Sequence, residues 1–192
     1  MACCMGWGFW RNNRSDYIFY HLNTQSTEFK VIEGKHDHKS DMPKEKLLQL
    51  LREITEERIP FNKLIGIKIE SLGMDSLGIR FEMRPELIGN FNRGNLHGGV
   101  ISSVMDVTGG MVAWTGIMKK MEGQSFEEIS QRFAKIGTID LRVDFLRPGL
   151  GKYFIATGTT LRTGNKVSVT RMELHDDKGT LIAVGTGSYL VG

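Results

Sequence analysis

Hydrophobic positions along this 192-residue chain change their period several times, and each change predicts an element. After Pro43, "EKLLQLLREITEER" sets Leu47, Leu48, Leu51 and Ile54 at helical spacing opposite its charges, predicting an amphipathic helix that ends before Pro60. In "GIKIESLGMDSLGIRFEM" the pairs Ile67/Ile69 and Ile79/Phe81 alternate around Gly73-Met74-Asp75, the pattern of a hairpin. A polar loop, "RPELIGNFNRGN", leads into a run from Gly98 to Met118 that is small or apolar throughout except for one charge, Asp106. Such a run predicts a helix surrounded by protein. "SFEEISQRFAKIG" predicts a short second helix, with Ser125 and Glu128 as a capping box and Phe126, Ile129 and Phe133 on one face.

The remainder reads as strands. "TIDLRVDFLRPG" alternates Ile139, Leu141, Val143 and Phe145 against Asp140, Arg142 and Asp144. "KYFIATGTTLRTGNK" closes on a Gly164-Asn165 turn, and two more strands flank Asp177-Lys178-Gly179. The expectation is an α+β domain over residues 42–192, with one antiparallel sheet wrapped around a long central helix.

Composition changes this picture little. A net charge of +3, from scattered lysines and arginines, gives no reason to expect a nucleic-acid partner. The first 41 residues show no useful period and fail as a signal peptide, so a disordered or non-native leader is expected there. They hold Cys3 and Cys4, adjacent and unsuited to a disulfide framework, which points to a reducing, cytoplasmic setting. The apolar run at 98–118 is long enough to span a membrane, but Ser102, Ser103, Asp106 and Thr108 make it a poor lipid-facing helix, and no membrane is expected. With His97 and His175 the only histidines after the leader, no metal site is expected.

Asp106 is the candidate chemistry. A buried unpaired carboxylate costs several kcal/mol or takes up a proton, so it needs either a core hydroxyl or a task. Upstream stands His97-Gly98-Gly99, a helix start where small residues let a ligand approach unpaired N–H groups suited to a developing oxyanion. His97 fits either as a cap or as a proton-transfer group. Gly98 and Asp106 lie eight residues apart, about 12 Å along the axis, too far to act on one carbonyl. Two such helices packed antiparallel about a two-fold bring each N-terminus to the other's Asp106, so a homodimer with interfacial sites is expected.

Here the motifs carry a resemblance. "NRGNLHGGVISSVMDVTGG", then "GTIDLRVDFLRPG", then "LRTGNKVSVTRMELHDDKGTLIAVGTGSYLVG" resemble the PaaI-type hotdog-fold acyl-CoA thioesterases, closest to their YigI-like members, over about 43–192. The resemblance implies a hotdog fold, dimeric or tetrameric. It implies Asp106 as general base or nucleophile, the Gly98 amide as the donor polarising the thioester carbonyl with His97 beside it, and Thr138 helping to hold the water. It also implies a loop asparagine, for which Asn92 or Asn90 stands, and CoA-phosphate contacts from Arg147, Gly164, Asn165 and Lys166. No cofactor is implied, because a thioester is already activated.

Ile101, Val104, Met105, Met111, Val112 and Trp114 are read as lining an apolar tunnel, which favours medium- to long-chain fatty acyl-CoA, with aryl-acyl-CoA of the phenylacetyl type as the alternative. Two further readings compete. A dehydratase on acyl carriers would pair its His with an acid differently, and a non-catalytic acyl-CoA sensor would need an output module.

Overall fold

The computed structural model describes residues 44–73, 76–121, 124 and 126–192, with backbone alone for 44, 126, 127 and 130. The expected leader, the middle of the Gly73-Met74-Asp75 turn and the Ser125 cap lie outside the described residues.

The amphipathic segment after Pro43 is not one helix. α1 (Lys44–Glu53) runs into a π-helical turn (Ile54–Arg58), and α2 (Pro60–Ile65) follows. Pro60 breaks the ladder and, at the first turn of α2, starts the next helix, because its ring fixes a helical φ and its missing N–H would be unpaired there anyway. β1 (Lys68–Leu72) and β2 (Ser76–Glu82) form the expected hairpin. The polar loop contains a 3-10 turn (Pro85–Leu87) and a two-stranded ribbon of β3 (Ile88–Asn90) and β4 (Asn95–Leu96). Then come α3 (Gly98–Lys120), α4 (Phe126–Phe133), β5 (Gly137–Phe145), β6 (Tyr153–Thr163), β7 (Val167–Asp176) and β8 (Leu181–Leu190).

Six strands make one antiparallel sheet in the order β1-β2-β6-β7-β8-β5, and it wraps around α3. β7 alternates along its length, as a strand with one face on a core must, and β8 does so after the consecutive buried pair Ile182-Ala183. Close approach of α3 requires Gly158 on β6: a Cβ there would meet Val112 Cγ2 at 2.8 Å. α4 seals the far half of α3 with Phe133 edge-on to Trp114, ring centroids 4.8 Å apart.

The two sheet edges are treated differently. On β1, the Ile69 amide donates to Glu56 Oε1 at 2.9 Å, and Arg52 Nη1 donates to the Ile69 carbonyl at 2.7 Å. Two side chains thus occupy positions that another strand's backbone would take, and the edge is blocked. Glu56 also meets Lys68 Nζ at 3.2 Å. Burial pushes its carboxyl upward, but the Ile69 amide, Lys68 and Arg52 outweigh that, and the net shift is below the ordinary 4.5. A lowered folded value gives stability that is present above the unfolded pKa and lost as pH falls through the folded one. Glu56→Gln is therefore expected to lower stability by about 1–3 kcal/mol at neutral pH, since hydrogen bonds to charged groups are worth that much. In thermal melts the difference from wild type should shrink as pH falls below the ordinary carboxylate value and vanish once the carboxyl is protonated in the folded state.

β5 has no such cover. Ile139 and Phe145, expected to face inward with Leu141 and Val143, are 56% and 55% exposed. The register shifts between Thr138 and Asp140, so Ile139 falls on a bulge at the open edge. Phe145 turns over the start of α3.

Candidate active site

The start of α3 is held by three neighbours. The His97 amide donates to the Leu87 carbonyl at 2.8 Å, and His97 lies so close over β3 that a Cβ on Gly89 would meet its Cα at 2.6 Å. The Leu96 amide donates to the Gly149 carbonyl at 3.0 Å, which stitches the Arg147-Pro148-Gly149 loop to the helix entrance. His97 itself is the N-cap: its Nδ1 accepts from the Gly99 amide at 2.9 Å, so in the neutral ring the proton sits on Nε2. The Gly98 amide donates to no described residue.

A cleft of about 400 Å3 opens at this point. Its apolar wall is Leu96, Ile101, Phe145, Leu146 and Pro148, and its polar groups are Asn90, Asn95, Arg93 and Arg147 beside Gly98. Arg147 is anchored through Nη1 to the Leu181 carbonyl at 3.0 Å. Of the two loop asparagines singled out, Asn90 lines the cleft, although its Oδ1 is engaged by the Asn92 and Arg93 amides in a local turn. Asn92 sits exposed at the tip of that turn, outside the cleft.

Asp106 lies two turns along α3, half-buried. Thr138, on β5, donates from Oγ1 to Asp106 Oδ1 at 2.9 Å, so the strand residue and the carboxylate do meet. Besides Thr138, the carboxylate is approached by the Tyr189 hydroxyl. Beneath them, Tyr189 on β8 donates its hydroxyl to the main-chain oxygen of Asp106 at 3.1 Å. Burial, then the neighbouring Asp106 carboxylate, push the Tyr189 phenol far upward, so it remains a donor across the neutral range. Nothing in the strand pattern of "GTGSYLV" singled out Tyr189, because its partner lies 83 residues away.

Two expectations are redrawn by the structure. Gly164, Asn165 and Lys166 form the β6–β7 turn, where Lys120, in the last turn of α3, donates to the Thr163 carbonyl and Arg132 to that of Asn165. They stand at the opposite end of α3 from Arg147, about 30 Å along a 23-residue helix, so one chain does not join them into one rim. Ile101, Val104, Met105, Met111, Val112 and Trp114 are all buried, and as a set they are core packing; Ile101 alone reaches the cleft. A helix enclosed by a sheet must use most of its circumference that way. Among the described residues, no three His, Cys, Asp or Glu side chains converge as metal ligands.

Comparison with known proteins is decisive about the family. A family model described as the thioesterase superfamily matches residues 93–183, which include His97, Gly98, Asp106, Thr138 and Arg147. The medium/long-chain acyl-CoA thioesterase YigI of Escherichia coli (strain K12) is 42% identical over 148 residues, covering 77% of this chain and 96% of that protein. The chain belongs to the thioesterase superfamily. The YigI protein of Salmonella typhimurium (strain LT2) matches this thioesterase at the same identity and coverage. The crystal structure of a Shewanella oneidensis protein related to the thioesterase superfamily has a TM-score of 0.76 and 44% identity, covering 80% of this chain and all of that one. The sheet wrapped on α3 is thus the hotdog fold that the motifs implied.

Proposed function

We propose that this protein hydrolyses medium- to long-chain acyl-CoA to the free acid and CoA at sites shared between two copies of the chain. The observation that carries the reading is the Asp106 carboxylate, held through one oxygen by Thr138, in a chain so similar to proteins named medium/long-chain acyl-CoA thioesterases.

The dimer rests on three features of the single chain. From Gly109 to Met118 every residue of α3 is buried, whereas Gly99, Ser102, Ser103, Asp106 and Val107 leave a half-open stripe on its first half. That stripe is centred midway between Gly98 and Asp106. β5 is the open sheet edge, and it carries Thr138 beside Asp106 and Phe145 beside Gly98. Pairing β5 with its counterpart about a two-fold near its centre therefore sets each Gly98 amide against the other copy's Asp106, and it also covers the exposed strand.

In this arrangement the thioester carbonyl oxygen accepts from the partner's Gly98 amide, where the N-terminal dipole of α3 favours developing negative charge. The second oxygen of Asp106 takes a proton from water, which adds to the carbonyl carbon; the tetrahedral intermediate collapses and expels CoA thiolate. Thr138 fixes the carboxylate's direction. The apolar side of the cleft takes the acyl or pantetheine chain, and Arg93 and Arg147 at its polar side face the phosphates. The reaction calls for no cofactor.

A panel of C2–C18, phenylacetyl and benzoyl CoA esters, with released thiol measured by DTNB, tests this. The expected result is the highest kcat/KM between C8 and C16. Higher kcat/KM for phenylacetyl-CoA would transfer the assignment to aryl-acyl substrates, and tight binding without thiol release would make the protein a sensor.

A further inference from the structure

We propose that Tyr189 is a positioning residue for catalysis: with Thr138, its partner across the β5–β8 ladder, it grips Asp106 at two points and sets the direction in which the carboxylate projects. This rests on the reading of Asp106 as the catalytic carboxylate.

Thr138 and Tyr189 stand directly opposite each other in the register of the two strands. Both reach the same residue of α3. Thr138 holds the end of the Asp106 side chain at 2.9 Å, and Tyr189 holds its main-chain oxygen at 3.1 Å. A mid-helix carbonyl already accepts from the amide four residues on, so it needs no second donor. The phenol therefore does not repair an orphaned group; it fixes the rotation of α3 at this one residue. Side chain and main chain held by one cross-strand pair leave Asp106 little freedom to swing.

The space for this contact is cleared on both sides. A Cβ on Gly109 would lie 2.2 Å from the Tyr189 hydroxyl oxygen, and one on Gly187 would lie 2.6 Å from its ring. A glycine inside a helix costs about 1 kcal/mol relative to alanine. α3 nevertheless carries glycine at 109, three residues past Asp106, where even a methyl group would displace the hydroxyl.

Tyr189→Phe keeps the ring and removes only the donor. With decanoyl-CoA as the probe, the expected result is a kcat about tenfold lower and a KM within twofold, consistent with misdirection of a general base. Ile182→Val, a buried truncation on the same strand, controls for stability and should lower Tm without changing kcat. Gly109→Ala approaches the hydroxyl from the helix side and is expected to lower kcat likewise, which keeps the test open if Tyr189→Phe folds poorly. In the double variant with Thr138→Val, the two losses in kcat should combine less than multiplicatively, because both act through one carboxylate.

A kcat equal to wild type, a loss expressed only in KM, or a loss matched by Ile182→Val at equal Tm would each overturn the proposal. Asp106→Asn is assayed alongside. If it is inactive while Tyr189→Phe behaves as wild type, only the role of Tyr189 falls. If Asp106→Asn is fully active, or wild type itself releases no CoA, the parent reading falls and this proposal with it.

Discussion

Asp106→Asn is expected to leave the fold and the dimer intact and to lower kcat by about 10²–10⁴-fold, the range typical of a positioned acid–base group. Asparagine has the same shape, and its amide oxygen can still accept from Thr138, so the hydrogen bond that holds the side chain survives. The neutral amide, however, has no capacity to take a proton from water. Steady-state kinetics with light scattering on the same preparation check both halves of the expectation. Retention of more than about a tenth of wild-type kcat would remove Asp106 from the chemistry, since even the weakest such groups contribute more.

The second large effect comes from the other end of the site. Gly98→Pro is expected to lower kcat by about 10²–10³-fold, the cost of losing one oxyanion donor. Proline removes the amide N–H and almost nothing else. Gly98 is the first residue of α3, where proline is welcome, and His97 before it has φ −66° and ψ 135°, the extended conformation that a following proline demands. A Cβ at this position meets only the edge of the Phe145 ring at 3.6 Å, an ordinary contact. Circular dichroism should therefore be unchanged. Full activity in Gly98→Pro would exclude that amide as the carbonyl's partner.

Much of this architecture was legible in the pattern of residues. The enclosed helix announced itself by 21 residues with a single charge, and the strands by their alternation and their turns. What escaped depends on contacts between distant segments. The π-helical turn at Ile54–Arg58 lies where Glu56 and Arg52 dock onto β1, a contact that helical periodicity does not encode. The alternation of β5 predicted an inward Ile139 because nothing local marks a bulge or an edge strand. Met105 and Val112, each better suited singly to a core, read as a set as a tunnel lining, and the sheet closes over them.

At the site the same division holds. His97, Gly98 and Asp106 stood out through helix chemistry, Thr138 through the family resemblance alone, and Thr138 does reach Asp106. Tyr189 did not stand out, because a tyrosine in a strand is an ordinary core residue until its hydroxyl is traced to a particular carbonyl. The loop asparagines were separable only by geometry: Asn90 turns toward the cleft and Asn92 away from it.

The central claim is that one site draws its carboxylate and its amide from different copies, and mixing the two inactive variants tests it most directly. Asp106→Asn and Gly98→Pro chains are co-expressed with different tags, and the mixed dimers are assayed against each parent. In a heterodimer, the native Asp106 of one chain faces the native Gly98 of the other, so one of its two sites is whole. Random assortment into dimers then predicts recovery to about a quarter of wild-type activity, or about half in the purified heterodimer. If each chain supplied both groups to its own site, no dimer would contain an intact one. Activity no higher than that of the two parents would then contradict the account.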